Sequence, residues 1–127
     1  MEKKIIHTSN APDAIGPYSQ AVLYKDVLYC SGQIALLPKT MQIVEGGIEE
    51  QTRQVMNNLG EVLKAAGTSF SNVLKCSIFL HDMSDFPEVN RIYGEYFDDL
   101  PPARETVAVK ELPKSVLVEI SCLAACR

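Results

Sequence analysis

Arg104 stands in Pro101-Pro102-Ala103-Arg104-Glu105-Thr106-Val107 and is the only arginine between Arg91 and the C-terminal Arg127. A planar guanidinium donates two parallel hydrogen bonds to a carboxylate or phosphate. On a proline-stiffened approach just ahead of a strand-like run, Arg104 reads as an anion grip at the mouth of a loop. Three other polar residues stand in apolar surroundings. Glu119 sits in the run from Val116 to Ala125, where it is either a solvated glutamate or a functional acid. Asn90 falls in the helical arc of Phe86, Val89, Tyr93 and Phe97, which predicts a buried amide. A buried amide needs partners, so it either bonds within the protein or faces a ligand. Tyr18, in Gly16-Pro17-Tyr18-Ser19-Gln20, is either a plug at the core edge or a wall of a site. Ser31-Gly32 closes a strand, where glycine lets a ligand approach a backbone N–H.

Several chemistries lack their residues. Ser31 has no Gly-x-Ser-x-Gly context and no nearby histidine, so a serine triad is not expected. His7 and His81 are the only histidines and have no spaced ligand partner, so no metal is expected. There is no phosphate-cradling glycine loop and no dinucleotide fingerprint, so no cofactor is expected either. Cys30, Cys76, Cys122 and Cys126 form no Cys-x-x-Cys pair; they read as reduced core thiols of a cytoplasmic protein.

The length of 127 residues predicts one domain over 1–127. The net charge is −4, from 16 acidic and 12 basic residues, and Lys3-Lys4 is the only adjacent basic pair. A phosphate-backbone binder carries a positive stripe, so nucleic acid is not the expected partner. The basic N-terminus is followed by no long apolar core, so it is not a signal peptide. No segment has the ~20 apolar residues that would cross a bilayer, so no membrane partner is expected.

The elements that must position these side chains follow from periodicity. Lys3–Thr8 predicts a short strand. Val22–Lys25 and Val27–Ser31 predict a hairpin turning at Lys25-Asp26. The clearest helix is Ile48–Ala66, with Ile48, Thr52, Val55, Met56, Leu59, Val62, Leu63 and Ala66 on one face and Gly67 as its stop. Val73–Leu80 predicts a strand whose apolar face is Leu74, Cys76, Ile78 and Leu80. Asp85-Phe86-Pro87-Glu88 has the pattern of a capped helix start, and that helix is expected to reach about Phe97. Thr106–Val109 and Val116–Ala125 predict the closing strands. The order gives an α+β sandwich, a mixed sheet with two helices on one face. The last strand has one wholly apolar face, while Leu117, Glu119, Ser121, Leu123 and Ala125 make the other. That second face is too apolar for open water, so a further subunit is expected to cover it.

Six segments, in order and at matching spacing, resemble one family over nearly the whole chain. They are Ala14–Ala21, Ser31–Ile34, Gln51–Gln54 with Asn58-Leu59, Phe86–Asn90, Pro102–Arg104, and Leu112–Lys114 leading to Val118–Ile120. The family is RidA (YjgF), the reactive intermediate deaminases. The resemblance implies a chorismate-mutase-like fold, a homotrimer around a central β-barrel, and sites in clefts between subunits. It implies hydrolysis of 2-iminoacids, released by pyridoxal-phosphate-dependent dehydratases, to 2-oxoacids and ammonia. Carried over by position, Arg104 would clamp the substrate carboxylate and Glu119 would orient the attacking water. Tyr18, Ser31, Gly32, Asn90 and Thr106 would line the pocket. Many members of the deaminase branch have cysteine where this chain has Thr106, so a role that needs a thiol is unavailable there, although the backbone carbonyl remains. Two other readings accompany the resemblance: a sensor of small carboxylates, and an endoribonuclease.

Overall fold

The computed structural model describes residues 2–127. Its strands are β1 (Lys4–Ile6), β2 (Ala21–Tyr24), β3 (Val27–Gln33), β4 (Val73–Leu80), β5 (Ala103–Ala108) and β6 (Val118–Ala125); its helices are α1 (Ile48–Ala66) and α2 (Phe86–Gly94). The strands form one sheet in the order β1-β2-β3-β6-β4-β5. All neighbours run antiparallel except β4 and β5, which are parallel. This is the mixed α+β arrangement expected from the element order.

The core lies between the sheet and α1. Val55, Met56, Leu59, Val62 and Leu63 of α1 are buried against Cys76, Ile78, Leu80, Val118, Ile120 and Ala124 of the sheet. Each large apolar side chain buried there contributes roughly 1.5–3 kcal/mol. The helix begins where Glu50 Oε1 accepts the Gly47 N–H at 2.8 Å. It ends at Gly67, whose φ of 89° is the left-handed conformation that glycine adopts without a Cβ clash. The hairpin turns at Lys25-Asp26 as expected, with Lys25 at a φ of 55°, the positive value that tight hairpin turns require.

Several expectations need correction. Leu74 is not on the apolar face of β4. The pairs Val73↔Ala124 and Lys75↔Leu123 leave Leu74 as an extra residue, so a bulge turns it outward and buries Val73 instead. Asp85 stands at the N-cap of α2 with Pro87 in the first turn, as expected, but its side chain makes no capping hydrogen bond; that bond is made one turn earlier, where Asp82 Oδ1 accepts the Ser84 N–H at 2.8 Å and starts a 3₁₀ turn that runs into the helix. The same hydrogen bond holds the Asp82 carboxyl below its usual range. Helix α2 stops at Gly94 rather than Phe97, and its buried stripe is Val89, Ile92 and Tyr93. Finally, β5 begins at Ala103, three residues earlier than its strand-forming run, because the parallel ladder to β4 recruits it; β6 begins at Val118 rather than Val116.

Candidate active site

The site residues expected from the sequence fall into two groups, and their strands explain why. Tyr18, Ser31, Gly32 and Glu119 line one cavity of about 420 Å³, together with Gln33 and Lys114. In β3 the pairing goes from Cys30↔Cys122 directly to Gln33↔Ile120. Two residues, Ser31 and Gly32, therefore face the single residue Ser121, which is a β-bulge. The bulge presses the Gly32 backbone against Glu119. A Cβ at Gly32 would lie 2.9 Å from Glu119 Cδ and 3.0 Å from its Cγ. Glycine lets Glu119 keep this place; a Cβ here would push its side chain aside.

Glu119 is half-buried and, among the described residues, has no ion-pair partner. Burial pushes its carboxyl above the ordinary 4.5. A carboxylate held in this way can orient water and accept a proton. The Ser31 hydroxyl donates to the Ser19 carbonyl at 2.6 Å, so its proton is committed to the loop and only its lone pairs face the cavity. Tyr18 is half exposed, and its ring forms a rim of the cavity instead of plugging the core.

The second group surrounds Arg104. Arg104 lies on edge strand β5, opposite Cys76, and not on a loop. Its guanidinium carbon is 5.3 Å from the Phe86 ring centre and 5.2 Å from that of Tyr93. Nη1 donates to Asn90 Oδ1 at 2.6 Å. Asn90 is therefore exposed and bound to Arg104, not a buried amide; the short helix turns this part of the arc toward the sheet edge. Thr106 lies two residues on, opposite Ile78, on the same face. The hydroxyls of Thr106 and Tyr93 are both buried without a hydrogen-bond partner. Burial pushes the Cys76 thiol up to about 11, against the opposing pull of the Arg104 cation. A thiol in this state is a packing group and not a nucleophile. All four cysteines are free and buried.

One chain does not bring Arg104 and Glu119 together. Glu119 pairs with Phe79, and Phe79 with Val107, whereas Arg104 pairs with Cys76. Paired residues share a face and successive residues alternate. Arg104 therefore projects on the helix-covered face and Glu119 on the opposite face, with β4 between their strands.

Sequence reasoning missed the amides that hold the cavity walls. Buried Gln20 donates from Nε2 to the carbonyls of Pro12 at 2.8 Å and Thr8 at 3.0 Å. Buried Asn58 donates to the carbonyls of Ile34 at 3.1 Å and Leu36 at 3.0 Å. Gln51 Oε1 accepts the Leu117 N–H at 2.8 Å, just ahead of β6. The signal that could have found them is a carboxamide on the apolar side of α1 or beside a loop that needs carbonyl partners.

Comparison with known proteins agrees with this frame. The family model described as Endoribonuclease L-PSP matches residues 8–126. A RutC family protein of Synechocystis is 53% identical over 98% of this chain and 97% of its own length. The human protein named 2-iminobutanoate/2-iminopropanoate deaminase is 48% identical over 96% of this chain and 89% of its own length. The crystal structure of E. coli TdcF with bound serine superposes with a TM-score of 0.92 at 37% identity, covering 98% of this chain and 99% of that one. The chain thus belongs to the RidA (YjgF) family, whose matching model carries the endoribonuclease L-PSP description.

Proposed function

We propose that the chain, a single domain, is a 2-iminoacid deaminase that assembles as a homotrimer, each site joining one subunit's Arg104 to a neighbour's Glu119. The observation that carries this reading is the state of Arg104. Among the described residues Arg53 and Arg91 are ion-paired, whereas Arg104 has no carboxylate partner and is held ready for one. The separation of Arg104 and Glu119 onto opposite faces supports a shared site, and the mixed outer face of β6 supports a covering neighbour. The human relative's name supports the substrate class. Among the described residues no helix is long and apolar enough to cross a membrane; the four free, buried cysteines support a cytoplasmic location.

In the reaction, 2-iminobutanoate and water give 2-oxobutanoate and ammonia. Arg104 anchors the carboxylate; a charged hydrogen bond of this kind contributes about 1.5–3 kcal/mol. That fixes C2 for attack. Glu119 orients the water and accepts its proton as oxygen bonds to C2. The C=N electron pair moves to nitrogen, which takes the proton that Glu119 accepted. The tetrahedral adduct then expels ammonia as its hydroxyl proton passes through Glu119 to the leaving nitrogen and C=O forms. The imine carbon is already electrophilic, so the step asks only for position and proton transfer. Tyr18, Ser31, Gly32, Asn90 and Thr106 complete the pocket, and the Gly32 N–H adds a donor for the carboxylate.

Subunit complementation tests the reading. Arg104→Ala and Glu119→Gln proteins are each expected to fold and to be inactive toward imine released by a coupled dehydratase. Refolded together in equal amounts, they should regain roughly a quarter of wild-type activity, the fraction of interfaces in a random ring that carry both intact residues. No recovery, or an active parent protein, overturns the shared site. Cleavage of RNA by repurified protein, lost in Arg104→Ala, would instead favour the endoribonuclease reading.

A further inference from the structure

The acid nearest Arg104 in sequence is kept away from it. Glu105 projects on the opposite face of β5, where Ser77 Oγ donates to it at 2.7 Å and Lys75 Nζ lies 3.2 Å away. The acid Glu88 on α2 is taken by Arg91. In place of an acid, α2 offers Arg104 two rings and an amide oxygen. Phe86, Asn90 and Tyr93 are spaced four and three residues apart, which puts them on one face of the helix. The rings meet the guanidinium as cation–π partners, and Asn90 Oδ1 takes one hydrogen of Nη1. None of these contacts uses Nε or Nη2, and none neutralises the charge. A flexible arginine on an edge strand otherwise samples many rotamers, and ordering it on binding weakens affinity.

We propose that Phe86, Asn90 and Tyr93 are positioning residues that form a cradle for Arg104, presenting its Nε–Nη2 edge side-on to the substrate carboxylate and setting the affinity for it. This rests on the reading of Arg104 as the carboxylate anchor. The cradle acts through Arg104, so its loss raises KM and leaves kcat, which depends on Glu119 and water, nearly unchanged. The helix stripe is thus an affinity control separate from the chemistry. An acid introduced at Asn90 would convert the cradle into an internal competitor for the same charge.

The test is calorimetric titration of the assembled protein with 2-oxobutanoate, together with KM and kcat from the coupled dehydratase assay. Tyr93→Leu and Phe86→Leu should each weaken binding about three- to tenfold, as loss of one cation–π partner implies. Tyr93→Phe, which keeps the ring, should restore most of that affinity. Asn90→Asp should weaken binding more than Asn90→Ser, because it supplies a counter-ion where serine only removes an acceptor. Folded variants that bind like wild type, or that lose kcat at constant KM, overturn the cradle. Equal losses in Asn90→Asp and Asn90→Ser do so as well. If Tyr93→Leu does not fold, the half-buried Phe86 and the exposed Asn90 decide the matter. Arg104→Ala separates the two levels. Abolished binding there, with unaffected cradle variants, rejects the cradle alone, whereas retained binding rejects Arg104 as the anchor.

Discussion

Replacing Gly32 by alanine adds one methyl group against the Glu119 carboxyl, the water-orienting group of the proposed reaction, and its effect can be worked out from distances. The added carbon would lie 2.9 Å from Glu119 Cδ. Carbon–carbon contacts settle at about 3.5–4.0 Å, so the carboxyl must retreat by roughly 0.6–1 Å. The bulge and the ladder to β6 fix the backbone, so Glu119 is the part that moves. Gly32 does not have a positive φ, so alanine is not strained there, and the unfolded chain loses about 0.4–1 kcal/mol of entropy advantage. Against this stands a crowding cost of about 1–3 kcal/mol. The folded state should therefore lose no more than about 2.6 kcal/mol on these two terms. The rate should suffer far more, because a displacement near 1 Å costs about 10²-fold in a positioned reaction. The assay is kcat for imine hydrolysis alongside thermal unfolding. A double-mutant cycle sharpens it: with Glu119→Gln already present, Gly32→Ala should cost almost nothing further in rate. A folded Gly32→Ala protein with wild-type kcat, or additive rate losses in the cycle, would refute the role given to this contact.

Three further outcomes follow from the same structure. Asn58→Ala strips one buried and one partly buried carbonyl of their donor and should destabilise the protein by about 2–3 kcal/mol, lowering Tm by roughly 8–12 °C in a melting experiment; an unchanged Tm would show that water replaces the amide. Burial raises the Glu119 pKa above 4.5, so the folded state binds more protons than the unfolded state just above that value, and stability falls as pH rises through this window. Glu119→Gln should therefore melt higher than wild type at neutral pH and converge with it in acid, and coincident melting curves at all pH values would contradict this. Gly67→Ala forces a side chain into the left-handed cap at a φ of 89° and should cost about 1 kcal/mol in denaturant unfolding with activity retained.

What the sequence revealed was set by local periodicity, and what it hid was set by pairing across the sheet. Ile48–Ala66 was legible to the residue because its apolar stripe, its acidic first turn and Gly67 all agree. The apolar face of β6 was legible because Val118, Ile120, Cys122 and Ala124 alternate without a break. Leu74 was misplaced because a bulge depends on the partner strand and leaves no mark in the alternation. Arg104 was assigned to a loop because prolines dominate its local sequence, while the ladder that draws it into β5 comes from Cys76, distant in the chain. Asn90 was assigned to the right arc, but with the wrong burial, because periodicity fixes direction around a helix axis and not how far the opposing layer extends. For the same reason candidate site residues could be named from the sequence, whereas their division between two faces could not be read there.

The amides that hold the cavity have a consequence for how freely its lining can change. Gln20 and Asn58 grip Thr8, Pro12, Ile34 and Leu36 only by their backbones: all four carbonyls accept, and the Thr8 N–H donates to Gln20 Oε1. A carbonyl is present whatever the side chain, so the frame is indifferent to the identity of the residues it holds. Pro12, Ile34 and Leu36 line the cavity and can be exchanged for larger or smaller groups without unfastening the wall. Substitution there reshapes the space offered to a ligand's tail while Glu119 and Gly32 stay in register. The fold thus separates the part of the pocket that must stay constant from the part on which variation can act.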